Sequence, residues 1–81
     1  MDIFYFAWLR ERVGLASEQV ETEAVTAADL VEELRARDDD HAAAFEDMKS
    51  IRVALDQELC DFSAPLKGVR EVAFFPPMTG G

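Results

Sequence analysis

A chain of 81 residues with 17 acidic against 8 basic side chains has a formal charge of −9. It is long enough for one domain, near the lower limit for burying a core without staples. Hydrophobic residues make up 49% and charged residues 31%, the composition of a folded globular protein, and the acidic surplus disfavours nucleic acid and favours a basic protein partner. The single cysteine, Cys60, excludes an internal disulfide or a Cys-based metal site, and no apolar stretch has the length of a membrane span or the flanks of a signal peptide. A reducing, cytoplasmic setting is expected.

The opening run DIFYFAWL is aromatic-rich and strand-forming, with Ile3 and Tyr5 on one face and Phe4 and Phe6 on the other. Apolar residues on both faces predict an interior strand covered on both sides. From Ala7 the pattern turns into a short helix with Gly14 available to end it. SEQVETEAV alternates weakly and reads as a more exposed strand. Thr26 and Asp29 have capping-box spacing, and Val25 and Leu30 stand where a hydrophobic staple would form. Ala27, Leu30, Val31 and Leu34 then follow the i, i+3, i+4, i+7 rule, which gives one helix with one buried stripe. DDDHAAAFEDM predicts a second, shorter helix whose start favours acidic residues. IRVAL is a strand, Asp56-Gln57 a turn, ELCDF a short returning strand, and REVAFF the last strand.

That order predicts an α+β roll in which a mixed sheet of four to five strands packs on one main helix plus short helices. At this length a β-grasp is the economical solution. Residues 1–75 are expected to form the domain, and 76–81 an extended flexible tail ending in Gly-Gly.

The ending EVAFFPPMTGG reads either as a simple frayed terminus or as a functional tip, and the diproline stem with the strand feeding it weighs against the first. Pro76 and Pro77 fix φ, remove two backbone donors and bias Phe75 to an extended conformation, so they end strand pairing and send the tail off the sheet. From Pro76 to Gly81 an extended chain reaches roughly 20 Å, enough to enter a deep pocket on another protein. Glycines pass narrow channels and leave a terminal carboxylate sterically open. That carboxylate is ionised at neutral pH and a poor electrophile, so acyl chemistry there requires prior activation.

YFAWLRERVG near the start, with IRVALDQEL and APLKGVREVAFFPPMTGG at the end, resembles the small-subunit family of molybdopterin synthase, the molybdenum-cofactor sulfur carriers of the ubiquitin-like β-grasp group. The Phe-Phe-Pro-Pro-x-x-Gly-Gly ending is the specific part. The resemblance implies that Gly81 is adenylated by an ATP-using, ubiquitin-activating-like adenylyltransferase and converted to a thiocarboxylate. Met78, Thr79, Gly80 and Gly81 would insert into the large subunit of molybdopterin synthase, where sulfur passes to cyclic pyranopterin monophosphate. It implies no bound cofactor, ATP being used by the activating enzyme, and places the catalytic groups in the large subunit. The family often carries Asn where this chain has Asp56, and an acidic-Gly-acidic turn in place of Lys67-Gly68-Val69-Arg70. Related readings are a β-grasp carrier for thiamine synthesis or tRNA thiolation, a protein modifier, or an interaction module without tail chemistry.

In the last strand Val72 and Phe74 point one way, and Ala73 and Phe75 the other. One face can pack under the helix. The other would expose Phe75, with Phe6 and Leu59 nearby, as a partner surface at the root of the tail that continues into Pro76 and Pro77, with Arg10 at its rim. The alternative is that all these residues are core. Cys60 reads as a partly buried strand residue without thiolate-stabilising neighbours. His41 reads as a solvated surface residue, and Asp38, Asp39 and Asp40 as helix-start charge in place of a metal site.

Overall fold

The computed structural model describes residues 1–77. Its elements are β1 (Asp2–Tyr5), α1 (Trp8–Val13), β2 (Ser17–Gln19), α2 (Ala27–Arg35), α3 (Asp39–Ala44), a 3-10 turn (Met48–Ser50), β3 (Arg52–Leu55), β4 (Glu58–Cys60) and β5 (Glu71–Phe75). The strands form one mixed sheet in the order β2-β1-β5-β3-β4, parallel only between β1 and β5. The last strand of the chain is therefore the middle strand of the sheet.

Local chemistry sets the element ends. Gly14 closes α1 in the left-handed region at φ 89°, a conformation glycine adopts without steric cost. The capping box at α2 forms as expected. The Asp29 N–H donates to Thr26 Oγ1 at 3.2 Å, and the Thr26 N–H donates to Asp29 Oδ2 at 3.3 Å. Asp38 caps α3 by accepting the His41 N–H at 2.8 Å, the helix-start role expected of that acidic run. Asp56 and Gln57 take φ values of 49° and 71°, the left-handed pair that a two-residue hairpin turn requires. Asp56 Oδ1 also accepts from the N–H groups of Arg70 and Glu71 at 2.9 and 3.0 Å, tying the hairpin to the start of β5. The Asp56 carboxylate thus has a structural role in the turn.

All three helices lie against one face of the sheet. Ile3, Tyr5, Val53, Val72 and Phe74 point into that side and are fully buried, together with Leu30 and Leu34 of α2. At the centre the Phe45 ring meets Phe74 edge-on, with centroids 4.9 Å apart. Such a pair adds about 0.5–1.5 kcal/mol beyond its buried area.

Three expectations are corrected. β1 is an interior strand but is covered on one face only: Ile3 and Tyr5 are buried, while Phe4 is half-buried and Phe6 is 43% exposed. Apolar alternation on both faces here signals one core face and one open face. The Val25–Leu30 staple does not form, because Val25 is 70% exposed. The loop before α2 is held by backbone instead, the Leu66 N–H donating to the Val25 carbonyl at 2.9 Å. His41 is also no surface residue; it is 5% exposed and hydrogen-bonded through both ring nitrogens.

Candidate functional site: the open sheet face and the root of the tail

β5 delivers Phe75, Pro76 and Pro77 between β1 and β3, so the tail leaves from the middle of the sheet and not from an edge. The register then decides what surrounds its root. Phe4, Ala73, Ala54 and Leu59 lie side by side across β1, β5, β3 and β4. In the β3–β5 pairing Phe75 stands opposite Arg52, while the Phe6 N–H donates to the Phe74 carbonyl at 3.1 Å and so brings Phe6 up beside it. Directly opposed strand residues share a face, so these side chains form one apolar surface on the side away from the helices.

That surface is open. Leu59 is 70% and Phe6 43% exposed, and Phe4, Ala73, Phe75, Pro76 and Pro77 are half-buried. A shallow hollow of about 400 Å³ lies among Phe4, Phe6 and Ala73, with Gln57 and Glu71 at its edge. Contiguous exposed apolar surface rimmed by polar groups is the kind that partner contacts and ligand grooves use. Ala7, immediately after Phe6, has φ 56° and ψ −133°. A non-glycine residue in that region costs on the order of 1–3 kcal/mol. It turns the chain sharply from β1 into α1 and leaves Phe6 on the open side.

The polar rim is uneven. At the tail-root end Arg10 Nε donates to the Tyr5 carbonyl at 3.4 Å, on the β1 side of Phe75, and Arg52 stands on the β3 side. At the opposite end the register pairs Asp2 with Glu71. The structure places Phe6, Arg10, Phe75, Pro76 and Pro77 around the tail root and Leu59 on the same face two strands away, on β4, while Met78, Thr79, Gly80 and Gly81 lie outside the described residues. The sequence reading set Phe4 and Ala73 on the faces of Phe6 and Phe75 without naming them as contact residues, and it omitted Arg52. Strand parity carried the signal, since Phe4 shares a face with Phe6, and Ala73 with Phe75.

Cys60 does not belong to this surface. It pairs with Val53 in the row that holds Tyr5 and Phe74, and Val53 and its row-mates point to the helix side. Its thiol is held above the ordinary cysteine value by burial, which outweighs an opposing backbone hydrogen bond at Leu55, with smaller upward contributions from the Asp61 and Glu58 charges. A thiol kept protonated is a poor nucleophile.

His41 organises a second polar cluster on the helix side. Its Nε2 lies 2.7 Å from Glu18 Oε2 and its Nδ1 2.8 Å from Asp38 Oδ1. The Tyr5 hydroxyl donates to Glu18 Oε2 at 2.8 Å and Arg37 Nη1 to Glu18 Oε1 at 3.3 Å. Burial opposes charge on His41, but the hydrogen bonds and the charges of Glu18 and Asp38 outweigh it and hold the imidazole above the ordinary histidine value. Burial likewise raises Glu18, and its bonds to His41 and Tyr5 overcome that and lower it. The imidazolium bridges β2 to α3. The cluster is structural cross-linking, distant from the open face.

Among the described residues no helix is long and apolar enough to cross a membrane, and no group of three or more His, Cys, Asp or Glu could hold a metal ion. Residues 3–81 match the ThiS family. The chain is 40% identical over 79 residues to the molybdopterin synthase sulfur carrier subunit of Escherichia coli, covering 98% of this chain and 96% of that protein. The protein of the same name from Haemophilus influenzae is 37% identical, covering 100% and 99%. Among solved structures, SAMP1 from Haloferax volcanii superposes with a TM-score of 0.74 at 24% identity, covering 100% of this chain and 98% of that one. The last likeness carries the fold, a β-grasp with five strands and one main helix.

Proposed function

The chain belongs to the ThiS family, and on that footing we propose that it acts as the sulfur carrier subunit of molybdopterin synthase, in molybdenum-cofactor biosynthesis. Membership in the synthase makes its large subunit the partner. The observation that carries the reading on the structural side is the exit of the tail from the sheet centre, through an open aromatic face. That arrangement lets one surface dock while the six residues from Pro76 onward reach roughly 20 Å into a partner.

The chemistry follows from the carboxylate. A Gly81 oxygen attacks the α-phosphorus of ATP in a separate adenylyltransferase, pyrophosphate leaves, and the acyl adenylate becomes the electrophile that the free carboxylate is not. A sulfur nucleophile then displaces AMP and leaves a thiocarboxylate. In the synthase, that sulfur passes to cyclic pyranopterin monophosphate, and water supplies the oxygen that restores the carboxylate. This chain binds no cofactor in the scheme; it is a co-substrate reloaded after each transfer, in the cytoplasm, and the large subunit supplies the catalytic groups.

The test is mass spectrometry of the protein incubated with adenylyltransferase, ATP and a sulfur donor, followed by molybdopterin production with the large subunit. The expected product has one oxygen of Gly81 exchanged for sulfur. A variant with one alanine added after Gly81 should melt like the parent yet fail, because its carboxylate is displaced by about 3.3–3.6 Å and near-attack geometry does not survive that error. Equal loading and equal transfer by both proteins would overturn the reading.

A further inference from the structure

We propose that Arg52 is a specificity-determining contact of the docking face, taking a carboxylate of the large subunit beside the root of the tail; this rests on the sulfur-carrier reading above. Arg52 is exposed and stands opposite Phe75 in the β3–β5 register, on the open side of the sheet. Opposed residues of this kind have Cβ atoms about 4.5–5.5 Å apart. The side chain is also anchored. Its Nη1 donates to the Lys49 and Ile51 carbonyls, both at 3.1 Å. Its Nε and Nη2 make no hydrogen bond, and no carboxylate forms an ion pair with it, among the described residues. A held guanidinium with part of its donor fork unused, beside exposed aromatic surface, is prepared for a planar acceptor.

The setting favours a carboxylate from the partner. The chain carries −9 overall, and a uniformly basic surface would complement most of it. At the tail root the local charge is reversed, with Arg10 on the β1 side of Phe75 and Arg52 on the β3 side. The acidic pair Asp2 and Glu71 lies at the far end of the same face, four residues along β5 from Phe75, or about 13 Å. A partner that covered Phe75 and left Arg52 without an acceptor would desolvate a cation for nothing, which is costly. A partner acidic at this end and basic at the other is attracted in one sense and repelled in the opposite one. Arg52 therefore helps to fix which way the domain docks, and with it where the tail enters.

The experiment titrates the purified large subunit with the full-length parent, Arg52→Leu, Arg52→Lys and Arg52→Glu, by calorimetry and stopped flow, at low and high salt. Arg52 is exposed, so all three variants should melt near the parent. Arg52→Leu is expected to bind about tenfold more weakly, with Arg52→Lys recovering part of that, and Arg52→Glu about a hundredfold more weakly with a slower on-rate at low salt. Binding by Arg52→Leu as tight as the parent's, with the same salt dependence, overturns the assignment of Arg52 and leaves the function standing. Failure of the parent itself to bind removes the sulfur-carrier reading and this inference with it.

Discussion

Replacing His41 with leucine tests the cluster that bridges β2 and α3. The substitution keeps the apolar bulk and removes both ring nitrogens, so Glu18 loses its 2.7 Å partner and keeps only Tyr5 and Arg37, while Asp38 loses its side-chain contact at 2.8 Å. Hydrogen bonds involving a charged group are worth about 1.5–3 kcal/mol net. The Glu18 side chain is 13% exposed but that of Asp38 is 54% exposed and regains water on losing its partner, so only the Glu18 contact counts in full. The expected loss at pH 6 is therefore about 2 kcal/mol. For a domain of this size, that is roughly a 10 °C fall in Tm.

The pH dependence has a definite sign. His41 is raised in the folded state, so its contribution is complete below the unfolded histidine value of about 6.5 and is lost as pH rises through the folded value. Glu18 and Asp38 are lowered, Asp38 chiefly by the backbone and side-chain bonds from His41. Their contribution is present above the ordinary carboxylate range and disappears on acidification. The gap in Tm between parent and His41→Leu should then be widest near pH 6 and shrink toward pH 9, where a neutral ring can donate to only one carboxylate. Groups other than the His41 cluster are common to both proteins and cancel in the difference. Thermal melts from pH 5 to 9, with NMR titration of His41, read the effect. A gap that is constant or widens with pH, or a His41 that titrates below 6.5, refutes the bridge.

Two further outcomes concern the docking face and the thiol. Phe75→Asp should leave the domain folded, because Phe75 is on the open side, and weaken binding of the large subunit by at least tenfold, since a carboxylate would be buried without a partner; unchanged affinity in a calorimetric titration removes Phe75 from the contact. Cys60→Ser should gain sulfur at Gly81 at the parent's rate, because Cys60 lies off the tail surface with a protonated thiol; loss of loading in a folded Cys60→Ser protein, read by mass spectrometry, would give the thiol a part in the transfer.

Local signals were legible in the sequence where their cause is local. The capping box of α2, the glycine stop of α1 and the Asp56-Gln57 turn depend on residues within three or four positions of each other, and each forms where the spacing places it. Misreadings arose where the deciding neighbour is remote in sequence. His41 stands in an acidic run that reads as solvated, and Glu18, 23 residues earlier, brings it inside. Glu18 itself points inward because the β1–β2 register sets it opposite Ile3, a core residue. Val25 fails as a staple because the segment around Leu66 already holds the loop through backbone. Arg52 escaped notice for the same reason: nothing near it in sequence says that Phe75 will be its neighbour.

The strand order also explains how one short domain can be both stable and a donor. Val72 and Phe74 of β5 are fully buried on the helix side, and β1 and β3 hold the strand on both edges, so its end is fixed by the same contacts that build the core. Ala73 and Phe75 of that strand face the open side, so the surface offered for docking consists of the alternate residues of an element already locked in place. A tail continuing from an edge strand would start from a root that can fray. Starting from the middle strand, it begins at a position known to within the rigidity of the sheet, and Pro76 and Pro77 then carry that definition past the last ladder bond by restricting φ at two consecutive residues.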